Sequence, residues 1–195
     1  MSAIDEAIVA LRLGKLVVIP TDTVYGVAAD PRQPEAVAAL FGAKGRPEDK
    51  AIPVLGADVA DLEEIVVFND AARRVAQRYW PGPLTLILER AETFTADLGG
   101  KRKDTVAVRV PKEPRAIELL KRTGPLAVTS ANASGKKEAT TVDEARAALG
   151  SSVAVFIDGG RCAGLPSTIV FLAGERRVLR EGAIPAREVF QNLMS

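Results

Sequence analysis

The sequence of 195 residues contains no histidine. This absence excludes Ser-His-Asp and Cys-His catalysis, histidine metal sites and an imidazole general base. A single cysteine, Cys162, excludes both an internal disulfide and a structural zinc site. Any catalysis must therefore use cations, hydroxyls, carboxylates and backbone groups.

Other absences narrow the class of protein. No apolar run approaches the roughly 20 residues of a membrane helix, and the N-terminus MSAIDEAIVALRLG lacks the basic segment of a signal peptide. We therefore expect a cytoplasmic protein with no membrane association. A net charge of +1 and an aromatic content of 5% are not typical of a dedicated nucleic-acid binder. The P-loop, the Rossmann glycine motif and the G-x-S-x-G elbow are also absent.

Helix and strand patterns alternate along the chain. Caps and apolar periodicity predict helices at 2–13, from Pro34, after Asp58 and Asn69, at 114–122, from the T-x-x-E capping box at Thr141 to Gly150, and after Pro185. Strands are expected at 16–19, 52–55, 83–88 and 104–110, in PLAVTS and VAVFID, and in a hairpin of STIVFL and RRVLRE. Because the hairpin adds antiparallel pairs, the pattern predicts an α/β fold with a mixed sheet, in one domain over 1–195.

Polar residues interrupt the sequence where several strands are expected to end. In open α/β sheets, ligands bind at such ends. The first interruption, in VVIPTDTVYGVAADP, holds Thr21, Asp22, Thr23 and Tyr25. It is either a turn whose hydroxyls satisfy local backbone groups or a site for a small polar ligand.

The second polar segment, AKGRPEDK, carries Lys44, Arg46 and Lys50. Three cations on a short loop suit a polyphosphate, which needs dispersed positive charge. The alternative is a solvated surface loop.

The strand DTVAVRV places Thr105, Ala107 and Arg109 on the face opposite its valines. An arginine in so apolar a strand needs a partner. That partner is either a structural carboxylate or an anion bound in a cleft.

Three later segments hold further candidate residues. VTSANASG ends a strand in small and hydroxyl-bearing residues, and offers Ser130 and Asn132 as hydrogen-bonding groups. Ser167 opens the strand in GLPSTIV and Arg180 closes one in LREG, although both also fit ordinary strand punctuation. With no base available, Cys162 is expected to be an inert packing residue.

Taken in order, seven segments resemble the YrdC-like threonylcarbamoyl-adenylate synthases of the single-domain type. They span about residues 11–185, and they are IPTDTVYGVAADP, AKGRPEDK, RYWPGPLTLIL, VAVRVP, TSANASG, PSTIV and LREGAIP. The resemblance implies a twisted mixed sheet flanked by helices, with a basic concave ligand-binding face. It implies an enzyme that makes threonylcarbamoyl-AMP and pyrophosphate from L-threonine, bicarbonate and ATP, with Mg²⁺ carried by the ATP and no metal held by the protein.

The resemblance also implies roles for individual residues. Threonine contacts are expected from Thr23, Tyr25, Arg109, Thr129 and Ser167. Nucleotide contacts are expected from Lys44, Arg46, Lys50, Thr105, Ser130, Ala131, Asn132 and Arg180, the first three being the catalytic cations that hold the phosphates. Thr21 and Asp22 are expected to shape the turn that presents Thr23.

The resemblance further implies partners. One is a threonylcarbamoyl transferase complex that receives the product and uses it to modify tRNA. The other is tRNA itself, as a possible direct contact of this protein. Two departures concern the pocket: Ala51 and Ile52 follow Lys50 where many relatives have Pro-Leu, and Leu55 lies where some relatives have a histidine. No second C-terminal domain is expected.

Two other functions stay open at this point. One is a carbamoyl-adenylate-forming relative that uses carbamoyl phosphate and ATP on the same scaffold. The other is a non-catalytic RNA-binding module in tRNA or ribosome maturation, with the basic loops at 44–50 and 101–103 as its contacts.

Overall fold

The computed structural model describes residues 2–194. Within that range the α-helices are Ala3–Arg12 (α1), Pro34–Lys44 (α2), Val59–Glu63 (α3), Asp70–Tyr79 (α4), Pro114–Thr123 (α5), Val142–Leu149 (α6) and Ala186–Met194 (α7), and a 3₁₀ turn covers Gly150–Ser152. The strands are Val17–Ile19 (β1), Gly26–Ala29 (β2), Val54–Leu55 (β3), Val66–Val67 (β4), Leu84–Arg90 (β5), Thr105–Arg109 (β6), Leu126–Ser130 (β7), Val155–Phe156 (β8), Thr168–Phe171 (β9) and Arg177–Arg180 (β10).

The strands form one mixed sheet in the order β10-β9-β5-β6-β3-β7-β2-β1-β8, and β4 pairs with the far end of β5. Three pairs are parallel, β1 with β8, β3 with β6 and β5 with β9. The others are antiparallel, including the β9–β10 hairpin that the sequence predicts. The predicted mixed sheet with flanking helices is therefore confirmed.

The predicted helix starts after Asp58 and Asn69 are present because each of these side chains supplies a partner for a free backbone N–H. Asp58 accepts a hydrogen bond from the backbone of Asp61, and Asn69 accepts one from Ala72. At the other end of α2, Gly45 adopts a left-handed conformation (φ 57°) that ends the helix just after Lys44. Among residues 2–194, no helix has both the length and the apolar character needed to cross a bilayer.

The structure differs from the predictions in several elements. Strand β2 was not predicted, because its four residues are small and buried on both faces, so they show no alternation. Strand β4 was also missed, and VAVFID forms only the two-residue strand β8. In the predicted capping box, Thr141 does accept a hydrogen bond from the Glu144 backbone, but the Glu144 carboxylate turns to Thr140 instead.

The sheet has a covered face and a half-covered face. On the covered face, apolar residues of β5, β6 and β9 join α2, α4 and α7 in the larger core. On the opposite face, α1 and α5 pack over the part formed by β1, β2, β7 and β8 and the end of β3. Within residues 2–194, no helix covers the remainder of that face, across β6, β5 and β9, which forms the floor of a cavity.

Candidate active site

The turn at residues 21–24 joins β1 to β2 and is organised by Thr21. Its hydroxyl donates to the Val24 carbonyl (2.6 Å) and accepts from the backbone N–H groups of Thr23 and Val24 (both 3.2 Å). The Thr21 and Thr23 hydroxyls also lie 3.0 Å apart. The expectation that Thr21 shapes this turn is therefore confirmed.

Arg109 links this turn to strand β6. Its guanidinium donates to Asp22 (2.7 Å), to the Thr23 hydroxyl (2.9 Å) and to the Gly82 carbonyl (2.9 Å). The Arg109 and Asp22 side chains are only 7% and 15% exposed. Burial lowers the pKa of Arg109 and the Asp22 carboxylate partly offsets that effect, so the guanidinium stays charged. Of the two alternatives, the structural carboxylate is therefore present, and Arg109 faces the cavity as well.

Tyr25 is fully buried beside the turn and is one of the residues around the cavity. Its hydroxyl donates to the Gly160 carbonyl (2.7 Å) and accepts from the Gly159 N–H (3.0 Å). Burial raises the pKa of this hydroxyl. The polar end of Tyr25 therefore holds the loop at 158–160, and its side chain packs in the larger core.

Arg46 and Lys50 lie on the loop between α2 and β3 and both line the cavity. The Arg46 guanidinium donates to the carbonyls of Lys50 (2.9 Å) and Ala51 (2.7 Å) and reaches the Thr129 hydroxyl at 3.4 Å. Lys50 is exposed, and within residues 2–194 its ammonium forms neither a hydrogen bond nor an ion pair. Arg46 thus braces the loop, while the Lys50 ammonium is free to bind an anion.

Lys44, the third cation of this segment, is buried with 3% exposure and does not line the cavity. Its ammonium donates to the carbonyls of Ser130 and Asn132 and to the Asn132 side-chain oxygen. Ala131 and Asn132 are also buried and outside the cavity lining, and the Ala131 N–H donates to the Tyr25 carbonyl at 2.7 Å.

Ser167, Thr85 and Arg180 form a polar cluster on the far wall of the cavity. The Ser167 and Thr85 hydroxyls are 2.8 Å apart, and both residues are buried. Arg180 donates to the Ser167 carbonyl (2.8 Å) and lies 3.3 Å from its hydroxyl. Burial lowers the pKa of the Arg180 guanidinium, which remains charged.

We expect Thr85→Val to lower the free energy of unfolding by about 0.5–1.5 kcal/mol, because it removes one buried hydroxyl–hydroxyl bond at constant volume. Ser167 keeps its bond to Arg180, so the loss stays small. Urea denaturation measures the change. Ile87→Val, on the same strand and face, shows the cost of a packing change alone, about 0.5–1.5 kcal/mol for one methylene group. If Thr85→Val left the free energy of unfolding unchanged, the hydroxyl pair would contribute nothing.

These residues surround one cavity of about 550 Å³, a size typical of small-molecule sites. Nine predicted site residues line it: Thr23, Tyr25, Arg46, Lys50, Arg109, Thr129, Ser130, Ser167 and Arg180. Four do not: Lys44, Thr105, Ala131 and Asn132. Thr105 shares a face with Arg109 but lies four residues along β6, a separation of about 13 Å in a strand.

The cavity occupies a face of the sheet, and this differs from the expectation that a ligand would bind beyond the strand ends. Ile87 and Ala107, which are mid-strand residues, form its floor. The reason is the half-covered face: no helix packs over β5, β6 and β9 there. The strand-end residues of the sequence prediction then surround this floor as walls.

The cavity is mainly cationic. Arg46, Lys50, Arg109 and Arg180 line it, whereas Glu138 is its single lining carboxylate. Within residues 2–194, no group of three or more acidic or cysteine side chains is arranged to hold a metal ion. The four cations of the cavity suit an anionic ligand.

A second cavity, of about 640 Å³, lies between α2 and the loop at 91–99. Phe41 and Phe94 contribute to its lining, together with Asp97 and Lys103, which are ion-paired with each other at 2.5 Å. It contains none of the predicted site residues. The smaller cavity is therefore the candidate active site.

The cavity lining also includes residues that were not among the predicted site residues, such as Thr85, Glu138 and Leu179. Thr85 had a signal, since it is the one hydroxyl residue in the apolar run PLTLIL. Glu138 had none, because it stands in a polar loop. Leu179 is 52% exposed beside Arg180 and could have been found only from the hairpin register.

The chain was compared with known proteins. The sequence model of the Sua5/YciO/YrdC family, which carries the description "telomere recombination", matches residues 9–182. A Mycobacterium tuberculosis protein, provisionally named threonylcarbamoyl-AMP synthase, is 43% identical over 195 residues, covering 97% of this chain and 88% of that protein. The threonylcarbamoyl-AMP synthase of Bacillus subtilis is 35% identical, covering 95% of this chain and 55% of the relative.

The fold is similar to that of a solved relative, Pyrococcus abyssi Sua5, whose crystal structure contains L-threonine. The TM-score is 0.92 at 36% identity, over 97% of this chain and 56% of that one. The chain thus spans about half the length of the B. subtilis and P. abyssi proteins, and most of the M. tuberculosis protein.

Proposed function

The chain belongs to the Sua5/YciO/YrdC family, and we propose that it is a threonylcarbamoyl-AMP synthase, which forms L-threonylcarbamoyladenylate and pyrophosphate from L-threonine, bicarbonate or CO2, and ATP. The observation that carries the proposal is the cavity, where four cations and several hydroxyls share one sheet face. Relatives of that name and a threonine-bound structure of the same fold support it.

Threonine binds in this proposal near Arg109. The buried guanidinium carries charge toward the cavity and is held in place by Asp22, so it is preorganised for a carboxylate. Thr23, Thr129 and Ser167 supply hydroxyls from the surrounding walls. Tyr25 lies beside them among the residues around the cavity.

ATP binds along the other cations. Lys50 and Arg46 hold the phosphates, and Arg180 and Ser130 lie on the cavity wall as further nucleotide contacts. Mg²⁺ enters with the ATP as part of the substrate. Contacts of the nucleotide with Thr105, Ala131 and Asn132 stay predictions of the sequence resemblance.

The chemistry requires charge neutralisation and alignment more than proton transfer. The threonine amine attacks CO2, forms the C–N bond of a carbamate and loses a proton. A carbamate oxygen then attacks the α-phosphorus, and the bond from that phosphorus to the bridging oxygen breaks, so pyrophosphate leaves with the electron pair. Fixed cations oppose the repulsion between these anions, and we propose no obligatory protein base for the phosphoryl step.

The product contains a mixed anhydride, and water hydrolyses this group. The proposal therefore includes transfer of the product to a threonylcarbamoyl transferase complex that modifies tRNA. Contact of this chain with tRNA, and a cytoplasmic location, belong to the same proposal. The four cations that line the cavity support binding of phosphate groups in general.

We expect pyrophosphate release from ATP, Mg²⁺ and bicarbonate to depend on L-threonine, measured with a coupled phosphate assay. L-serine should react with a kcat/KM lower by about 10- to 200-fold, because one methyl group is worth about 1–3 kcal/mol in a fitted pocket. Turnover with carbamoyl phosphate but not threonine would instead identify a carbamoyl-adenylate-forming enzyme. RNA binding without ATP turnover would identify a non-catalytic module.

A further inference from the structure

Lys44 is a buried cation at the end of α2. Within residues 2–194, no acidic oxygen lies within ion-pair distance of its ammonium. It belongs to the apolar stripe of α2, spaced four and eight residues after Leu40 and Ala36, which are also buried. Its side chain therefore points into the protein, while Lys50 stands on the exposed loop that follows.

The side-chain ammonium and the backbone carbonyl of Lys44 both bind one segment, residues 130–134, which we call the SANAS turn. The three N–H bonds of the ammonium match three acceptors there: the carbonyls of Ser130 and Asn132 and the Asn132 side-chain oxygen. The Lys44 carbonyl accepts the Ser134 N–H at 2.8 Å. The other half of the Asn132 amide donates to the carbonyls of Ala133 and Lys136, which closes the turn.

These bonds leave the ammonium no proton for a phosphate. They also bring three oxygen atoms, each with partial negative charge, together behind a wall that includes Ser130 and Thr129. Without a cation among them, those oxygens would repel each other and an anion bound in front of the wall. The ammonium offsets their charge and fixes the shape of the turn.

We propose that Lys44 is a positioning residue for the nucleotide, which acts by holding the SANAS turn in place and not by contacting the phosphates. This rests on the proposed function. It assigns the cations of AKGRPEDK to two tasks: Lys44 shapes the wall from behind, and Arg46 and Lys50 meet the ligand.

The unaltered chain provides the first test, through pH. Burial, with a smaller contribution from the Arg46 charge, lowers the pKa of Lys44 to about 8, and Glu138 opposes this shift. Above that pH the neutral amine loses one donor and its charge, so the turn should loosen. Backbone amide resonances of residues 130–134 in the ligand-free protein should shift with a midpoint near pH 8, and KM for ATP should rise above it. Turn resonances that stay fixed while the side-chain resonances of Lys44 titrate would overturn the proposal.

Hydrogen exchange of the ligand-free protein provides the second test. In Lys44→Gln we expect amides of the SANAS turn to exchange at least tenfold faster than in the unaltered chain. In Lys50→Gln, the matched control from the same loop, they should exchange at the unaltered rate. If Lys44→Gln leaves exchange unchanged but weakens binding of inorganic pyrophosphate as much as Lys50→Gln does, Lys44 contacts phosphate and the proposal fails.

Kinetics separate this proposal from the proposed function. Lys44→Gln should raise KM for ATP about tenfold with a smaller change in kcat. In this variant the pH dependence of KM for ATP should also lose its inflection near pH 8, which Lys50→Gln should retain. If the unaltered chain shows no threonine-dependent pyrophosphate release, the proposed function fails, while exchange and titration still report whether Lys44 holds the turn.

Discussion

Lys50→Ala is expected to lower kcat/KM for ATP by about 100-fold or more, the usual loss when one preorganised donor to a developing negative charge is removed. The ammonium of Lys50 is the cation of this cavity with no hydrogen bond or ion pair among residues 2–194, so its charge is available to the leaving pyrophosphate. Pyrophosphate release at varied ATP and saturating threonine measures the loss.

Lys101→Ala is the matched control for Lys50. Lys101 is an exposed lysine whose ammonium lies 3.6 Å from the carboxylate of Asp49, the residue before Lys50. Lys101 does not line the cavity. Its variant should keep kcat/KM within about twofold. A Lys50→Ala enzyme within threefold of the unaltered one would correspond to less than about 1 kcal/mol, and Lys50 would then have no part in the transition state.

Arg109→Met is expected to lower the free energy of unfolding by about 3–5 kcal/mol, because it leaves the Asp22 carboxylate buried without its counterion. For a chain of this length, that corresponds to a melting temperature lower by roughly 6–20 °C. Calorimetry measures the temperature and urea denaturation measures the free energy. Where the variant folds, its KM for threonine should also rise.

A second substitution separates charge from packing in this pair. Arg109→Met combined with Asp22→Asn should recover part of the lost stability, since no unpaired charge then remains. The exposed pair of Lys103 and Asp97 is the control, and Lys103→Met should change stability by no more than about 1 kcal/mol. No recovery in the double variant would mean that Arg109 stabilises the protein by packing alone.

The sequence was informative wherever one residue type has one physical consequence. The caps at Asp58 and Asn69, the helix stop at Gly150 and the alternation in β6 depend on neighbours in the chain, so they could be predicted locally. Strand β2 could not, because small residues buried on both faces carry no periodic signal.

The partners of the site residues could be identified only from the fold. Arg109 and Thr23 are 86 residues apart in the chain and 2.9 Å apart in space, a contact that depends on the strand order β6-β3-β7-β2. The same order decides that Arg109 meets Asp22, which the sequence left open between two alternatives. Long-range pairing is not encoded in local patterns, so this part of the site required the structure.

Lys44 shows the opposite case, in which a local signal was present and outweighed. Its spacing from Leu40 and Ala36 indicates a buried position, yet its charge and its closeness to Arg46 and Lys50 favoured grouping the three as one phosphate-binding set. The composition of AKGRPEDK correctly indicated a basic segment. Extending the helical spacing of buried residues from Leu40 to Lys44 would have separated Lys44 from Arg46 and Lys50, which follow the helix.

The cavity floor has a consequence for how this protein can vary over evolution. Floor residues of β5 and β6 alternate with core residues of the same strands, Ile87 with Leu86 and Ala107 with Val108. Point substitutions at Ile87 or Ala107 can reshape the pocket without touching the core. An insertion or deletion of one residue in β6 would exchange the two sets, placing Arg109 in the core and a valine on the floor. Selection can therefore change the side chains of this floor, but it must preserve the number of residues that carry them.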